Sequence, residues 1–154
     1  MRLEAAGFGP VYDYSAGKID WIAADLPFAG TAQLAGMFTR RGVATVGERA
    51  PAAQAMHLLD AQGFGPVLVV NAAQVVMGAA YYDNLASAAE DAEVASVTRF
   101  GVSTVRPSED AAALAHRMAH REVTRVVVSR ADGTLVGLFF AADVTFERCP
   151  ADRT

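Results

Sequence analysis

One cysteine, Cys149, and one lysine, Lys18, are all that this 154-residue chain has of either. A lone cysteine closes no disulfide within a chain, so the fold must rest on a buried core, which this length is sufficient to build. The same shortage permits a reducing compartment, and a cytoplasmic location is expected. A formal net charge of -4 and a pI near 5.3 leave no clustered Lys and Arg to displace counterions from a duplex, which argues against a nucleic-acid partner. The opening MRLEAAGFGP carries no apolar run after a basic start, so no signal peptide is expected. The most apolar stretch, 64–82, is broken by Pro66, Asn71, Gln74 and Gly78, and reads as two buried strands and a turn rather than a membrane span. Catalytic motifs are missing too. Ser87, Ser96, Ser103, Ser108 and Ser129 lie in no Gly-x-Ser-x-Gly elbow, and there is no phosphate-binding or dinucleotide glycine loop, so no enzyme is expected.

What is present is a duplication. Residues 42–84 recur as 101–143 at a constant offset of 59, without a gap, with 11 identities in 43 positions. Among them, Gly42, Thr45, His57, Val67 and Gly78 return as Gly101, Thr104, His116, Val126 and Gly137. A long period seen twice suggests two halves that cap one another, with a cleft between them, rather than a solenoid.

Each copy reads as strand, helix, strand, strand, helix. Short strands at 44–46 and 103–105 lead into helices. In the second copy Pro107-Ser108-Glu109-Asp110 offers Ser108 as N-cap with two carboxylates facing the helix dipole. In the first, Pro51 suits the opening helical position, where its missing N–H costs nothing. Two apolar runs follow in each copy, and Asp132-Gly133 between the later pair signals a hairpin. Asn84 and Asp143 fall where a second helix should begin, as N-caps on their local reading.

The run Val102-Ser-Thr-Val-Arg-Pro-Ser-Glu-Asp, with Met118, Arg125-Val-Val-Val and Asp132-Gly-Thr-Leu-Val-Gly137 through Asp143, resembles a cystathionine β-synthase (CBS) domain. The first copy resembles a more diverged one, and together they are similar to a tandem CBS pair, or Bateman module. The resemblance implies an α/β (α+β) fold in which two β-α-β-β-α repeats pack as a pseudo-two-fold pair. It also implies a non-enzymatic regulatory role, with AMP, ADP, ATP or S-adenosylmethionine as regulatory ligand, no required cofactor, and an unnamed regulated protein. In the family pattern Gly is followed three residues later by Ser or Thr, and three after that by an Asp that accepts from the ribose hydroxyls. Gly137 and Asp143 match, with Phe140 at the hydroxyl position; in the first copy Gly78 matches, while Tyr81 and Asn84 replace the other two. The second-copy site is therefore expected to be the better one. Arg125 is a candidate phosphate partner, Phe140 or Tyr81 a candidate stacking platform, and Thr104 and Asn84 complete the candidate set. A ligand-free assembly module with degenerate sites is the alternative.

His116 and His120, four apart on a helix, would bring two rings together on the face opposite Leu114 and Met118, but a metal site needs a third ligand and none is expected. Residues 1–30, including Val11-Tyr-Asp-Tyr14 and Gly17-Lys-Ile-Asp-Trp21, look like the closing strand and helix of a rhodanese-like domain. The family's catalytic cysteine lies upstream of that tail, so sulfur transfer is not expected; Trp21, Ile22 and Tyr12 should pack on the repeats. The expected organisation is this extension, a linker over 31–41, repeats over 42–97 and 98–149, and a disordered tail over 150–154. An Ala-rich helix over 86–95 should join the repeats and serve a homodimer.

Overall fold

A computed structural model describes residues 2–144 except Asp13 and Ala16; Cys149 and the expected tail lie outside the described residues. Eight strands form two four-stranded sheets. The first sheet holds β2 (Thr45–Gly47), β3 (Val67–Val70), β4 (Val76–Ala80) and β5 (Arg99–Phe100), in that order. The second runs β1 (Thr39–Arg40), β8 (Leu135–Phe140), β7 (Arg125–Ser129), β6 (Thr104–Val105). In both, the parallel pair (β2 with β3, β6 with β7) is joined by a helix, and the antiparallel pair by a tight turn. The helices are α3 (Ala52–Gln62) and α5 (Ala111–His120). This is the mixed α and β architecture of two repeats that the duplication implies.

The edge strands refine the repeat boundaries. β1 lies in the stretch read as a linker yet pairs with β8 of the second repeat, and β5 lies within 98–149 yet pairs with β4 of the first. A Cβ on Gly137 would lie 2.7 Å from Thr39 Cγ2 and would collide with the carbonyl of Arg40; on Gly78 it would lie 2.5 Å from Thr98 Cγ2 and 2.7 Å from the Arg99 oxygen. The repeated glycine therefore admits the crossing strand. The repeats also touch at equivalent positions: Val75 and Thr134, 59 apart, bridge each other, so the pseudo-two-fold axis passes between them.

Three apolar clusters stabilise the whole. One lies under α5, where Ala111, Leu114, Ala115 and Met118 recur at helical spacing and are buried. A second lies under α3, and a third, of Val43, Leu68, Ala79, Val127 and Leu138, joins the two sheets.

Several local expectations are corrected. Asp110, not Ser108, caps α5, its Oδ1 accepting from Ala113 N–H at 2.8 Å. Glu109 Oε1 accepts from Arg106 N–H instead, which ties the preceding turn and sets the helix two residues later. Pro51 is the cap residue of α3 rather than its first helical one, with extended backbone. The joining segment is not a helix over 86–95: α4 spans only Tyr82–Ala86 and a 3-10 turn covers Val94–Val97, because Ala52 and Val94 N–H groups bond across to Ala92 and Ala50 carbonyls. Asn84 lies inside α4, capped by Tyr81, and Asp143 inside the 3-10 turn Ala141–Asp143, so neither is an N-cap.

In place of the strand expected in the N-terminal extension there are two short helices, α1 (Arg2–Ala5) and α2 (Gly17–Ala23). Gly7 at φ 85° closes α1, with Phe8 N–H bonded back to the Leu3 carbonyl, and so turns the chain away from an extended path. α2 buries Ile22 beside Gly36 and packs Ala23 into the core of the second repeat, and Asp20 pairs with Arg130 at 2.9 Å. Trp21 stacks edge-on with Tyr14 at 5.2 Å, whereas Tyr12 is 87% exposed and does not pack.

Gly137→Ala and Gly78→Ala should each lower stability by about 1–3 kcal/mol in denaturant titrations, the cost of overpacking against backbone. Capping separates two neighbours: Asp110→Ala should cost about 0.5–2 kcal/mol and Ser108→Ala much less, and the reverse order would contradict the observed cap.

Candidate functional site

The seam between the sheets opens on either side of the pseudo-two-fold axis, and the two sides are built from equivalent positions with different side chains. On one side is a cleft of about 220 Å³. Leu68, Ala79, Val127 and Leu138 form its floor, and Tyr81, Val102, Val123 and Arg125 its walls. Two guanidinium groups flank the phenol ring: Arg99 Cζ lies 5.3 Å and Arg125 Cζ 5.6 Å from its centroid. Cation–π attraction of this kind holds the ring between charged side chains.

The other side is filled. Phe64 and Phe140 meet edge to face at 6.2 Å, and Arg40 lies over both, 4.5 Å from Phe140 and 5.5 Å from Phe64. Its Nε and one terminal nitrogen donate to the two Asp143 oxygens, each at 2.7 Å. The hydrogen bonds and charge of Arg40 hold the Asp143 carboxyl below the usual carboxylate range, against the effect of desolvation.

The offset of 59 explains the difference. Val123 takes the place of Phe64, Tyr81 that of Phe140, Arg99 that of Arg40 and Asn84 that of Asp143. A smaller side chain leaves room, and an amide cannot form the ion pair. The Asn84 Oδ1 is buried and has no hydrogen-bond partner among the described residues.

The seven residues singled out in the sequence are thus divided. Asp143 and Phe140 lie together on the filled side, engaged by Arg40. Arg125 is the register partner of Phe140, yet its guanidinium reaches Tyr81 and lines the open cleft. Gly137 faces β1 rather than a cleft. Thr104 is exposed and borders a neighbouring cavity of about 320 Å³ with Glu109, Arg117 and Arg121. Arg40, Phe64 and Arg99 were missed, although Arg40 and Arg99 also stand 59 apart, two residues before the aligned block. His116 and His120 do meet, Nε2 to Nε2 at 3.2 Å, on the face opposite Leu114 and Met118. No group of three His, Cys, Asp or Glu suited to a metal ion occurs among the described residues. Among them, too, no helix is long and apolar enough to cross a membrane.

The family model of the CBS domain matches residues 94–147. This second repeat is a CBS domain. The chain as a whole has the fold of a CBS pair, as solved structures show. The CBS domain pair of protein MJ0100, in complex with 5′-methylthioadenosine and S-adenosyl-L-methionine, is 16% identical at a TM-score of 0.62, over 73% of this chain and 93% of that one. The CBS domains of a transcriptional regulator from Streptococcus pneumoniae are 20% identical at 0.64, over 72% and 95%. The cytosolic domain of the Mg2+ channel MgtE, in complex with ATP, is 23% identical at 0.64; the match covers 71% of this chain and 46% of that one. No curated protein sequence matches the chain. The CBS match starts at residue 94, and the rhodanese resemblance of 1–30 lies outside it.

Because Asp143 titrates lower in the folded chain than unfolded, the stability it contributes is present above the ordinary value of about 4 and lost as pH falls through the folded value. The difference in Tm between the natural protein and Asp143→Asn should therefore be constant from pH 7 to about 5 and shrink as pH falls below about 4, through the folded value. A difference unchanged at the acid end would show that the ion pair does not form.

Proposed function

We propose that this chain is a non-enzymatic regulatory module that binds an adenosine-containing ligand in the open cleft beside Tyr81. The observation that carries the reading is that cleft itself: an apolar slot between two repeats, walled by Tyr81 and Arg125, with Arg99 beside the Tyr81 ring. The slot suits a purine, which gains by burial against the apolar floor of Leu68, Ala79, Val127 and Leu138. Arg125 and Arg99 suit a phosphate or other anionic group, as charge-assisted donors stronger than a hydroxyl. Support also comes from relatives of the same fold crystallised with ATP and with S-adenosylmethionine. The site thereby moves from the second-copy position at Asp143, which Arg40 engages, to the side where Val123 leaves space.

Ligand would act by linkage, stabilising one arrangement of the two repeats and biasing an attached or separate protein. No catalytic group is needed, and no cofactor is required. The cytoplasm and a homodimer built through the repeat helices remain part of this reading. The engagement of Asp143 by Arg40 favours one other reading, an assembly module that binds no nucleotide.

Thermal unfolding separates the two. At a hundredfold excess over Kd, AMP, ATP or S-adenosylmethionine should add about 2.7 kcal/mol, a rise of roughly 5–11 °C for a chain of this size. Arg125→Ala should weaken binding about tenfold to a hundredfold, as expected for a lost hydrogen bond to charge. No shift with any of the three at millimolar concentration would leave the assembly reading in its place.

A further inference from the structure

We infer that the second cleft is occupied by the chain's own Arg40, so that each chain presents one ligand site where the duplicated fold provides two. Three contacts converge on this side chain. Its planar face lies against Phe140 and Phe64, its edge donates two parallel hydrogen bonds to Asp143, and its backbone is held by β1 pairing with β8. The guanidinium thus meets both an aromatic face and the acceptor pair of the carboxylate, the two kinds of surface that a planar, hydrogen-bonding ligand would need. A ligand entering here would have to break an ion pair and unstack a cation. On the open side Arg99 has no such partner among the described residues, since Asn84 replaces the carboxylate, and the smaller Val123 stands where the other side has Phe64. One carboxylate and one phenyl ring therefore make the two sides unequal.

The count of sites rests on the proposed nucleotide reading, whereas the seating of Arg40 does not, and two measurements keep them apart. In calorimetric titration with AMP, the natural protein should take one AMP per chain, and the Arg40→Ala, Phe64→Val double variant a second, weaker one, since Pro66 stands where the open side has Arg125. Phe64→Val alone, which keeps the ion pair, should stay at one. Two AMP per natural chain, or one in the double variant with its circular dichroism intact, overturns the inference. Independently, the Arg40 Nε–H resonance in a nitrogen-15 spectrum should be displaced by the rings, slow to exchange, and lost as such on Asp143→Asn. A resonance at the position of a free arginine overturns the inference whatever AMP does. If AMP binds neither protein and the Arg40 resonance is as expected, the nucleotide reading fails and the self-occupied cleft stands.

Discussion

The contact between the two sheets, through Leu68 and Ala79 on one and Val127 and Leu138 on the other, is the constraint on which the rest depends. Each repeat alone is a small sheet with one helix across one face and an apolar strip on the other. Packing the strips together removes both from water, and burying each large aliphatic side chain contributes about 1.5–3 kcal/mol. The edge strands secure this packing. β1, from the segment before the first repeat, completes the sheet of the second, and β5, from the start of 98–149, completes that of the first; Gly137 and Gly78 give them the room to do so.

The clefts are a consequence of the same contact. Two curved sheets that meet along a central seam must diverge on either side of it, and each divergence is lined by apolar strand residues with polar ones at the rim. Symmetry makes the two sides alike in backbone. Side chains then make them different: Phe64, Phe140 and the Arg40–Asp143 pair close one, while Val123, Tyr81, Arg99 and Arg125 leave the other open. The duplication supplied a frame for two sites, and a few substitutions decide how many are usable.

The N-terminal extension follows a separate logic. It adds no strand. It attaches by Ala23 and the Asp20–Arg130 pair to the second repeat, near the turn that carries Asp132 and Gly133. Leu3, Phe8, Tyr12 and Met37 in and near it stay exposed, whereas the repeats keep most of their large apolar groups inside. Attachment to one repeat alone adds to the asymmetry that the clefts already have.

Much of the fold was legible in the chain itself. Repetition at a fixed offset, buried Leu114 and Met118 at helical spacing, and the Asp132-Gly133 turn are local signals, and local signals survive without knowledge of neighbours. The helix caps were less legible, since Ser108 and Asp110 are both good caps and only the hydrogen bond of Glu109 to Arg106 separates them. The site was least legible. Sequence determined that Asp143 and Arg40 exist, and that Asn84 and Arg99 stand at the matching places. That Arg40 grips Asp143 from 103 residues away, and that Arg125 turns to Tyr81 rather than to Phe140 beside it, only the tertiary structure decided. The reason is physical. Such contacts depend on which strand crosses which sheet, and on the space that one side chain, Phe64 or Val123, leaves for another.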